Sequence, residues 1–170
     1  YSADVHGNQI TGERLRCISR IINHSSTGEG VLTVVTTMDG IADRLIPVER
    51  FKEAVITLDY SSEIEPEKLA KKLVAMGFVR TGMVEDKGQF AIRGGIIDIF
   101  SYTDEAPVRI ELRDTEVDSI RMFDVESQRS IERLQSYSIF PATEYIFTED
   151  ELKNGLYNIK EECDRQLECF

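Results

Sequence analysis

The sequence predicts an α+β fold, in which one helix packs on a mostly antiparallel sheet, flanked by a truncated α/β unit. Residues 78–140 contain short apolar segments separated by small turns, a pattern typical of neighbouring antiparallel strands. A single helical pattern, at 66–76, precedes these strands. Residues 11–47 instead alternate between helix, strand and helix, which is the signature of an α/β layer.

The composition is that of a soluble globular protein, with 41% hydrophobic and 30% charged residues among 170. The formal net charge of −11 argues against a general affinity for nucleic acid, because such binding depends on clustered Lys and Arg side chains. The sequence contains no run of eighteen apolar residues, and its first residues lack the pattern of a signal peptide. We therefore expect a cytoplasmic protein.

The first region, residues 1–54, begins with a predicted helix after a possible cap at Thr11. The run "VLTVVTT" at 31–37 is rich in β-branched residues, which predicts a strand buried on both faces. "MDGIADRLIP" then predicts a short helix that ends at Pro47. Three elements cannot cover both faces of a parallel strand. The first region therefore looks like a fragment of a layered domain, and we expect the other strands of that domain to lie outside the sequence.

The second region, residues 55–145, opens with the predicted strand "AVITLDY". The helix that follows has Pro66 in its first turn, one apolar stripe of Leu69, Leu73 and Met76, and Gly77 as its end. The predicted strands after this helix are "FVRTGMV", "QFAIR", "IIDIF", "VRIEL", "EVDSIRMF" and "YSIFP".

The third region, residues 146–170, predicts a C-terminal helix. Thr148 and Glu151 form the pattern of a capping box at its start, and the residues that follow are acidic and weakly amphipathic. We expect this helix to return toward the first region.

The stretch "QFAIRGGIIDIF" changes its apolar phase at Gly94 and Gly95, which predicts a hairpin turning on these two residues. A β-bulge at the glycines would restore the phase equally well. In the hairpin Gln89 lies opposite Phe100 and Arg93 lies opposite Ile96. The apolar side, which should face the helix at 66–76, consists of Phe90, Ile92, Ile97 and Ile99.

The opposite side of the hairpin is too polar for a core and too apolar for an idle surface. One interpretation is that Arg93 pairs with Asp98, which for a surface ion pair is worth about 0 to 1 kcal/mol. The other is a protein-docking face that displays Arg93 near Phe100, since arginine and aromatic side chains are enriched at binding hot spots. Arg80, in the adjoining predicted strand, could extend such a face. The residues on this side of the hairpin are Gln89, Ala91, Arg93, Ile96, Asp98 and Phe100.

Sequence motifs for catalysis are absent. The chain has no GxxxxGK[ST], GxGxxG, GxSxG or HExxH motif, so we expect neither nucleotide hydrolysis nor any other enzyme activity, and no cofactor. Asp98 and Glu111 could suggest an acid/base pair, but alternation in sheets commonly places carboxylates on wet faces. Cys17, Cys163 and Cys169 are scattered, which predicts free thiols rather than a disulfide framework or a metal site.

Several segments resemble a domain that is shared by the excinuclease protein UvrB of nucleotide excision repair and the bacterial transcription-repair coupling factors. The resemblance covers about residues 56–145 and rests on "QFAIRGGIIDIF", "APVRIELRDTEVDSIRMFD", "VESQRSIERL" and "IFPATEY". "FDVESQRS" favours the coupling factors, and "YSADVHGNQITGERLRCISRI" resembles the end of their first, degenerate helicase-like subdomain. The resemblance implies a fold like the second domain of UvrB. The family usually has a Gly-Asp turn where "RDTE" stands at 113–116, so the turn type there is open.

The resemblance also implies a function, which is the docking of the excinuclease protein UvrA so that repair is recruited to a stalled RNA polymerase. The family's contact residues fall on Arg80, Arg93 and Phe100, with Asp98 and Ile96 beside them on the same predicted face. RNA polymerase, DNA and ATP would be bound by other domains of a full-length coupling factor.

A DNA-contacting domain is the alternative function. Arg80, Arg93, Arg109 and Arg113 lie on neighbouring predicted strands, and the resemblance is to repair proteins. Acidic residues are interleaved with these arginines, which weakens the alternative.

Overall fold

The computed structural model describes residues 3–28, 30–42 and 45–168. Cys169 therefore lies outside the described residues, whereas Cys17 and Cys163 are free, exposed thiols. The helices are α1 (Ala3–Thr27), α2 (Met38–Ala42), α3 (Val48–Ala54), α4 (Pro66–Ala75) and α5 (Glu149–Glu168). The strands are β1 (Ile56–Asp59), β2 (Val79–Arg80), β3 (Gln89–Arg93), β4 (Ile96–Phe100), β5 (Val108–Arg113), β6 (Glu116–Phe123), β7 (Ser130–Arg133) and β8 (Ser136–Ile139).

The main sheet has the strand order β2-β3-β4-β5-β6-β7, and β1 pairs with β8 in a separate two-stranded sheet. Every neighbouring pair is antiparallel except β2 and β3, which run parallel, so the predicted mostly antiparallel sheet is confirmed. The predicted strand "FVRTGMV" is shortened to Val79–Arg80. Beyond it the chain turns, because Gln89 Oε1 accepts hydrogen bonds from the backbone amides of Glu85 and Asp86.

Helix α4 supplies the helical layer over the main sheet. It begins at Pro66, and the chain leaves it through Gly77, whose φ of +89° suits a residue without a side chain. Its predicted stripe is buried and packs with the side chains of one sheet face. Each fully buried aliphatic side chain contributes about 1.5 to 3 kcal/mol to folding. The central members of this core are Leu69, Leu73, Met76, Phe90, Ile97, Ile99, Ile110 and Ile120.

A smaller core joins the first region to the sheet domain. Leu15 and Ile22 of α1 pack with Phe51 of α3, whose ring stacks on Phe140 at a centroid distance of 6.4 Å. Helix α3 is absent from the sequence prediction, which treats Pro47 as the end of a helix. Proline equally suits the start of a helix, and here it is the N-cap residue of α3. Helix α1 is also longer than predicted and begins at Ala3.

The prediction of a buried strand at 31–37 is wrong. These residues form no strand and are exposed, with Val31 at 95% and Val35 at 91%. A strand needs a neighbour for its backbone hydrogen bonds, and none of the described strands pairs with this segment. Composition identifies a strand-forming segment but cannot supply its partner.

Helix α5 begins with the predicted capping box. The amide of Glu151 donates to Thr148 Oγ1 at 3.2 Å, and the amide of Thr148 donates to Glu151 Oε2 at 2.9 Å. Glu151 also pairs with Arg50 of α3 at 2.8 Å, which ties the helix start to the first region. Further along, the apolar side chains of Leu156 and Ile159 are exposed. Among the described residues, no helix has both the length and the apolar character to cross a membrane.

Candidate protein-docking site

The hairpin of β3 and β4 has the predicted register, with Gln89 opposite Phe100 and Arg93 opposite Ile96. Gly94 adopts a φ of +59° at the first central position of the turn, which favours glycine. Gly95 is required for a different reason. A Cβ atom there would lie 2.8 Å from the carbonyl oxygen of Leu112 in β5, so only glycine allows the two backbones to approach this closely.

Asp98 is the centre of the hairpin's second face. Its side chain is 1% exposed and lies between Ala91 on β3 and Arg109 on β5. Arg109 donates from Nε to Oδ1 at 2.6 Å and from Nη2 to Oδ2 at 2.9 Å, and Arg93 donates from Nη2 to Oδ2 at 2.7 Å. Such charge-assisted bonds compensate the loss of water around a buried carboxylate. The pairing of Arg93 with Asp98 is thus confirmed.

Arg109 is held from three sides. Besides Asp98, its Nη2 donates to Gln128 Oε1 at 2.8 Å, and its guanidinium carbon lies 4.2 Å from the ring centroid of Phe123. The hydrogen bonds to Asp98 raise the pKa of Arg109 above its usual value. No described residue accepts a hydrogen bond from Nη1, and no buried side-chain nitrogen or oxygen among the described residues lacks a partner. Nη1 therefore reaches solvent.

Arg93 is the most accessible member of the cluster. Its side chain is 42% exposed and uses only Nη2 in the bond to Asp98, so its other donors are open to solvent. Ile96 lies opposite it, half-buried, between Arg93 and Glu111. The Nη2 atoms of Arg93 and Arg109 share Oδ2 of Asp98, which brings the two guanidinium groups together. We call these four residues, Arg93, Ile96, Asp98 and Arg109, the arginine face.

The arginine face continues across the sheet. Arg109, Arg121 and Arg133 lie directly opposite one another on β5, β6 and β7. Like charges in this position are destabilising unless they are neutralised. Arg121 pairs with Glu111, whereas Arg133 is exposed and forms no ion pair with any described residue. This row of cations is therefore incompletely neutralised at its β7 end.

Phe100 does not belong to the exposed part of this surface, and the prediction that it is displayed beside Arg93 is wrong. It is only 8% exposed and packs in a small separate cluster with Val84, Ala91 and Val125. The ammonium group of Lys87 lies 5.4 Å from its ring centroid. The loop after β2 folds back over this end of the face, which the alternation of side chains along β4 could not indicate.

The structure also separates Arg80 from Arg93, contrary to the prediction that Arg80 extends the same face. Arg80 lies opposite Phe90 in the parallel pair of β2 and β3, and therefore on the side of α4. There it donates to both carboxylate oxygens of Glu67 at 3.2 and 3.4 Å. Arg93 projects from the other side of the sheet.

Sequence reasoning places Arg109 only in the alternative DNA-binding hypothesis and misses Gln128 altogether. The signal for Arg109 is its place in the strand after "IIDIF", but only the register of β4 and β5 sets it against Asp98. No comparable signal marks Gln128, which comes from a turn between β6 and β7. The contacts do not support the hypothesis of an acid/base pair, since Asp98 and Glu111 each form an ion pair with an arginine.

The arrangement argues against the DNA-contacting alternative. Arg80, Arg93, Arg109 and Arg113 each pair with a carboxylate of the same chain, and Arg80 lies on the opposite side of the sheet from Arg93 and Arg109. Binding to phosphates needs clustered, uncompensated cations. Among the described residues, no group of three or more His, Cys, Asp or Glu side chains is arranged to hold a metal ion.

Residues 56–145, which contain the arginine face, match the family described as the UvrB interaction domain. The chain belongs to this family. The match has the boundaries that the sequence resemblance predicts and covers β1 through the residues after β8. The arginine face thus lies within a domain that is named for an interaction.

Curated relatives extend the similarity beyond this domain. The chain is 44% identical over 151 residues to the transcription-repair-coupling factor of Bacillus subtilis strain 168, which covers 89% of the chain and 12% of the relative. It is 38% identical over 166 residues to that of Staphylococcus aureus strain MRSA252, covering 94% of the chain and 14% of the relative. It is 40% identical over 146 residues to that of Staphylococcus haemolyticus strain JCSC1435, covering 86% and 12%. The chain therefore spans only a small part of the length of these relatives.

Proposed function

We propose that this chain is a non-catalytic docking module that binds the excinuclease protein UvrA through the arginine face. In a full-length coupling factor, this binding recruits nucleotide excision repair to a stalled RNA polymerase. Other domains of such a protein contact the polymerase and DNA and use ATP. The membership in an interaction family and the similarity to coupling factors support this proposal.

The observation that carries the proposal is the buried carboxylate of Asp98 beneath two guanidinium groups. A carboxylate with 1% exposure cannot be reached by a partner, so its role is to hold Arg93 and Arg109 in fixed positions. Fixing the side chains before association lowers the entropy lost on binding. The free donors of both arginines and the half-buried Ile96 then present a polar rim beside an apolar contact.

The chemistry of this surface favours carboxylates as the complementary groups on UvrA. Guanidinium groups bind planar carboxylates through two parallel hydrogen bonds, and within this chain Arg109 already binds Asp98 in that way. The net charge of −11 opposes the approach of an extended polyanion. We expect one or more acidic side chains of UvrA to lie against Arg93 and the Nη1 atom of Arg109.

The test is a binding titration of purified UvrA with the wild-type chain and the variant Arg93→Ala. We expect the variant to bind about 1 to 4 kcal/mol more weakly, as for a hot-spot residue. The charge reversal Arg93→Glu should weaken binding further, because it opposes the expected carboxylates. Circular dichroism checks that both variants keep the fold.

Arg20→Ala is the matched control, since it removes an exposed arginine from α1, outside the family domain. It should bind like the wild type. Arg80→Ala tests how far the partner reaches, because Arg80 lies on the α4 side. Unchanged affinity in Arg93→Ala and Arg93→Glu would contradict the proposed site, and no binding by the wild-type chain would contradict the function.

A further inference from the structure

The turn between β6 and β7 approaches the arginine face through one side chain, Gln128. Its amide oxygen accepts from Arg109 Nη2 at 2.8 Å, and its amide nitrogen donates to the carbonyl of Val125 at 2.7 Å. Gln128 therefore connects the backbone of the turn to the guanidinium group that also binds Asp98. Neither the family match nor the predicted contact residues assign any role to this turn.

Most of the hydrogen bonds that close the turn do not involve the side chain of Gln128. Asp124 Oδ1 accepts from the amide of Ser127 at 2.8 Å and from its hydroxyl at 2.6 Å. The backbone amide of Gln128 donates to the carbonyl of Asp124 at 2.8 Å, and the amide of Asp124 donates to the carbonyl of Arg129 at 2.9 Å. Four hydrogen bonds thus close the loop besides the one from Gln128 Nε2 to Val125, so the loop does not depend on the amide group of Gln128 alone.

The backbone of Gln128 adopts a conformation that is unfavourable for glutamine. Its φ is +58°, a left-handed conformation that glycine and asparagine adopt more readily than glutamine. Strained residues of this kind cluster at functional sites. A shorter residue would fit the turn at lower conformational cost but could not span from Val125 to Arg109.

These contacts fix the direction in which the unpaired Nη1 atom of Arg109 points. Asp98 takes Nε and one hydrogen of Nη2, and Gln128 takes the other, while Phe123 supports the plane of the group. Only Nη1 remains, and it reaches solvent. Without Gln128 the guanidinium retains its bonds to Asp98 and its contact with Phe123 but loses one of the three hydrogen bonds that fix its direction.

We propose that Gln128 is a positioning residue for docking, which orients Arg109 so that Nη1 faces a carboxylate of the partner. This inference rests on the proposed function. It adds the turn at 124–129 to the determinants of binding without placing Gln128 in contact with the partner. Gln128 acts through Arg109, which gives the proposal a specific test.

The test compares Gln128→Asn with Gln135→Asn in titrations with purified UvrA. Asparagine keeps the turn but is one methylene too short to hold Arg109. We expect the affinity of Gln128→Asn for UvrA to fall about tenfold. The melting temperature should change little, because the better fit of asparagine to the left-handed backbone offsets the hydrogen bond lost from Arg109. Gln135 is exposed, and its side chain forms no hydrogen bond with any described residue, so the same substitution there should leave the affinity unchanged.

A double-mutant cycle separates positioning from direct contact. In the Arg109→Lys background, the amine cannot bridge Asp98 and Gln128 in the same geometry, so Gln128→Asn should cause no further loss of affinity. An equal loss in both backgrounds would mean that Gln128 acts independently of Arg109, which overturns the proposal. Binding of Gln128→Asn at wild-type affinity also overturns it.

The two proposals fail in different ways. If the wild-type chain does not bind UvrA, the proposed function is refuted and this inference is refuted with it. If Arg93→Ala loses affinity while Gln128→Asn does not, docking stands and only the role of Gln128 is refuted. Slower rotation of the Arg109 guanidinium in the wild type than in Gln128→Asn, measured by NMR on the free chain, supports the positioning step directly.

Discussion

Both faces of the β3–β4 hairpin contain fully buried side chains, but the two faces bury them by opposite chemistry. Facing α4, Phe90, Ile97 and Ile99 are fully buried among aliphatic and aromatic side chains. On the other face Asp98 is 1% exposed, yet it is surrounded by guanidinium groups rather than hydrocarbon. The apolar face is explained by the stability of the fold. The charged face is not, because a buried ion cluster can commonly be replaced by apolar residues without loss of stability.

The difference indicates what each face is for. Burial of the apolar side chains favours any arrangement that removes them from water, whereas the charged cluster requires one particular set of donors and acceptors. A surface that must present the same guanidinium geometry to a partner benefits from the second kind of order. Substitutions on the apolar face should therefore lower the stability of the fold and leave binding unchanged. Substitutions on the charged face should change binding.

The largest effect is expected for Asp98→Ala. It leaves Arg93 and Arg109 side by side without their carboxylate, and breaking a buried pair in this way costs about 3 to 5 kcal/mol. Urea unfolding followed by circular dichroism measures the loss. Asp118→Ala is the control, because its carboxylate is half exposed and pairs only with Arg113 among the described residues. A loss at Asp98 no greater than at Asp118 would show that the cluster does not depend on its central acid.

Phe100→Ala should come next. The ring is 8% exposed within a cluster of few side chains, so its removal should cost about 3 kcal/mol, near the lower limit for a buried phenylalanine. Thermal unfolding gives the value. An unchanged melting temperature together with weakened docking would restore Phe100 as an exposed contact and contradict its burial.

Ile97→Val tests the apolar face with a smaller change. Removal of one methylene from a fully buried site should cost about 0.5 to 1.5 kcal/mol and leave the affinity for UvrA unaltered. Ile131→Val on β7, where the side chain is 61% exposed, is the comparison and should change stability little. If Ile97→Val weakened docking at full stability, the two faces would not be functionally separate.

The smallest effect concerns a third carboxylate, Asp104. It accepts a hydrogen bond from the phenol of Tyr137 at 2.6 Å, and burial raises its pKa above the usual 3.8. The folded state therefore holds the carboxyl proton of Asp104 more tightly than the unfolded state does. The contribution of Asp104 to stability is fully present below pH 3.8 and is lost as the pH rises through the folded pKa.

Asp104→Asn should remove that pH dependence. Unfolding free energies measured from about pH 3 upward should fall for the wild type relative to the variant as the pH rises through this window. Parallel curves for the two proteins would mean that the environment of Asp104 does not perturb its proton affinity.

Elements set by local signals are predictable from the sequence. The pair Gly94–Gly95 and the alternation around it indicate the register of the hairpin, and Pro66 and Gly77 bound α4. The segment 31–37 is mispredicted because its composition reports an affinity for sheets, whereas strand formation also needs a neighbour.

The candidate site is only partly predictable, since strand phase tells which face a side chain occupies but not what covers that face. Phe100 has the expected phase and is covered by the loop after β2. Arg80 depends on the parallel pairing of β2, which a short strand does not reveal. Arg109 and Gln128 meet only because two strand registers and a turn converge, and no spacing along the chain encodes that.

The exposed run at 31–37 has a consequence for the solubility of the protein. Seven uncharged residues without proline, four of them valine or leucine, are the composition of segments that stack into insoluble fibrils. Concentrated samples should precipitate through this run while the sheet domain is still intact. A lysine in place of Val35, which is almost fully exposed, should extend the working concentration range without touching the hairpin.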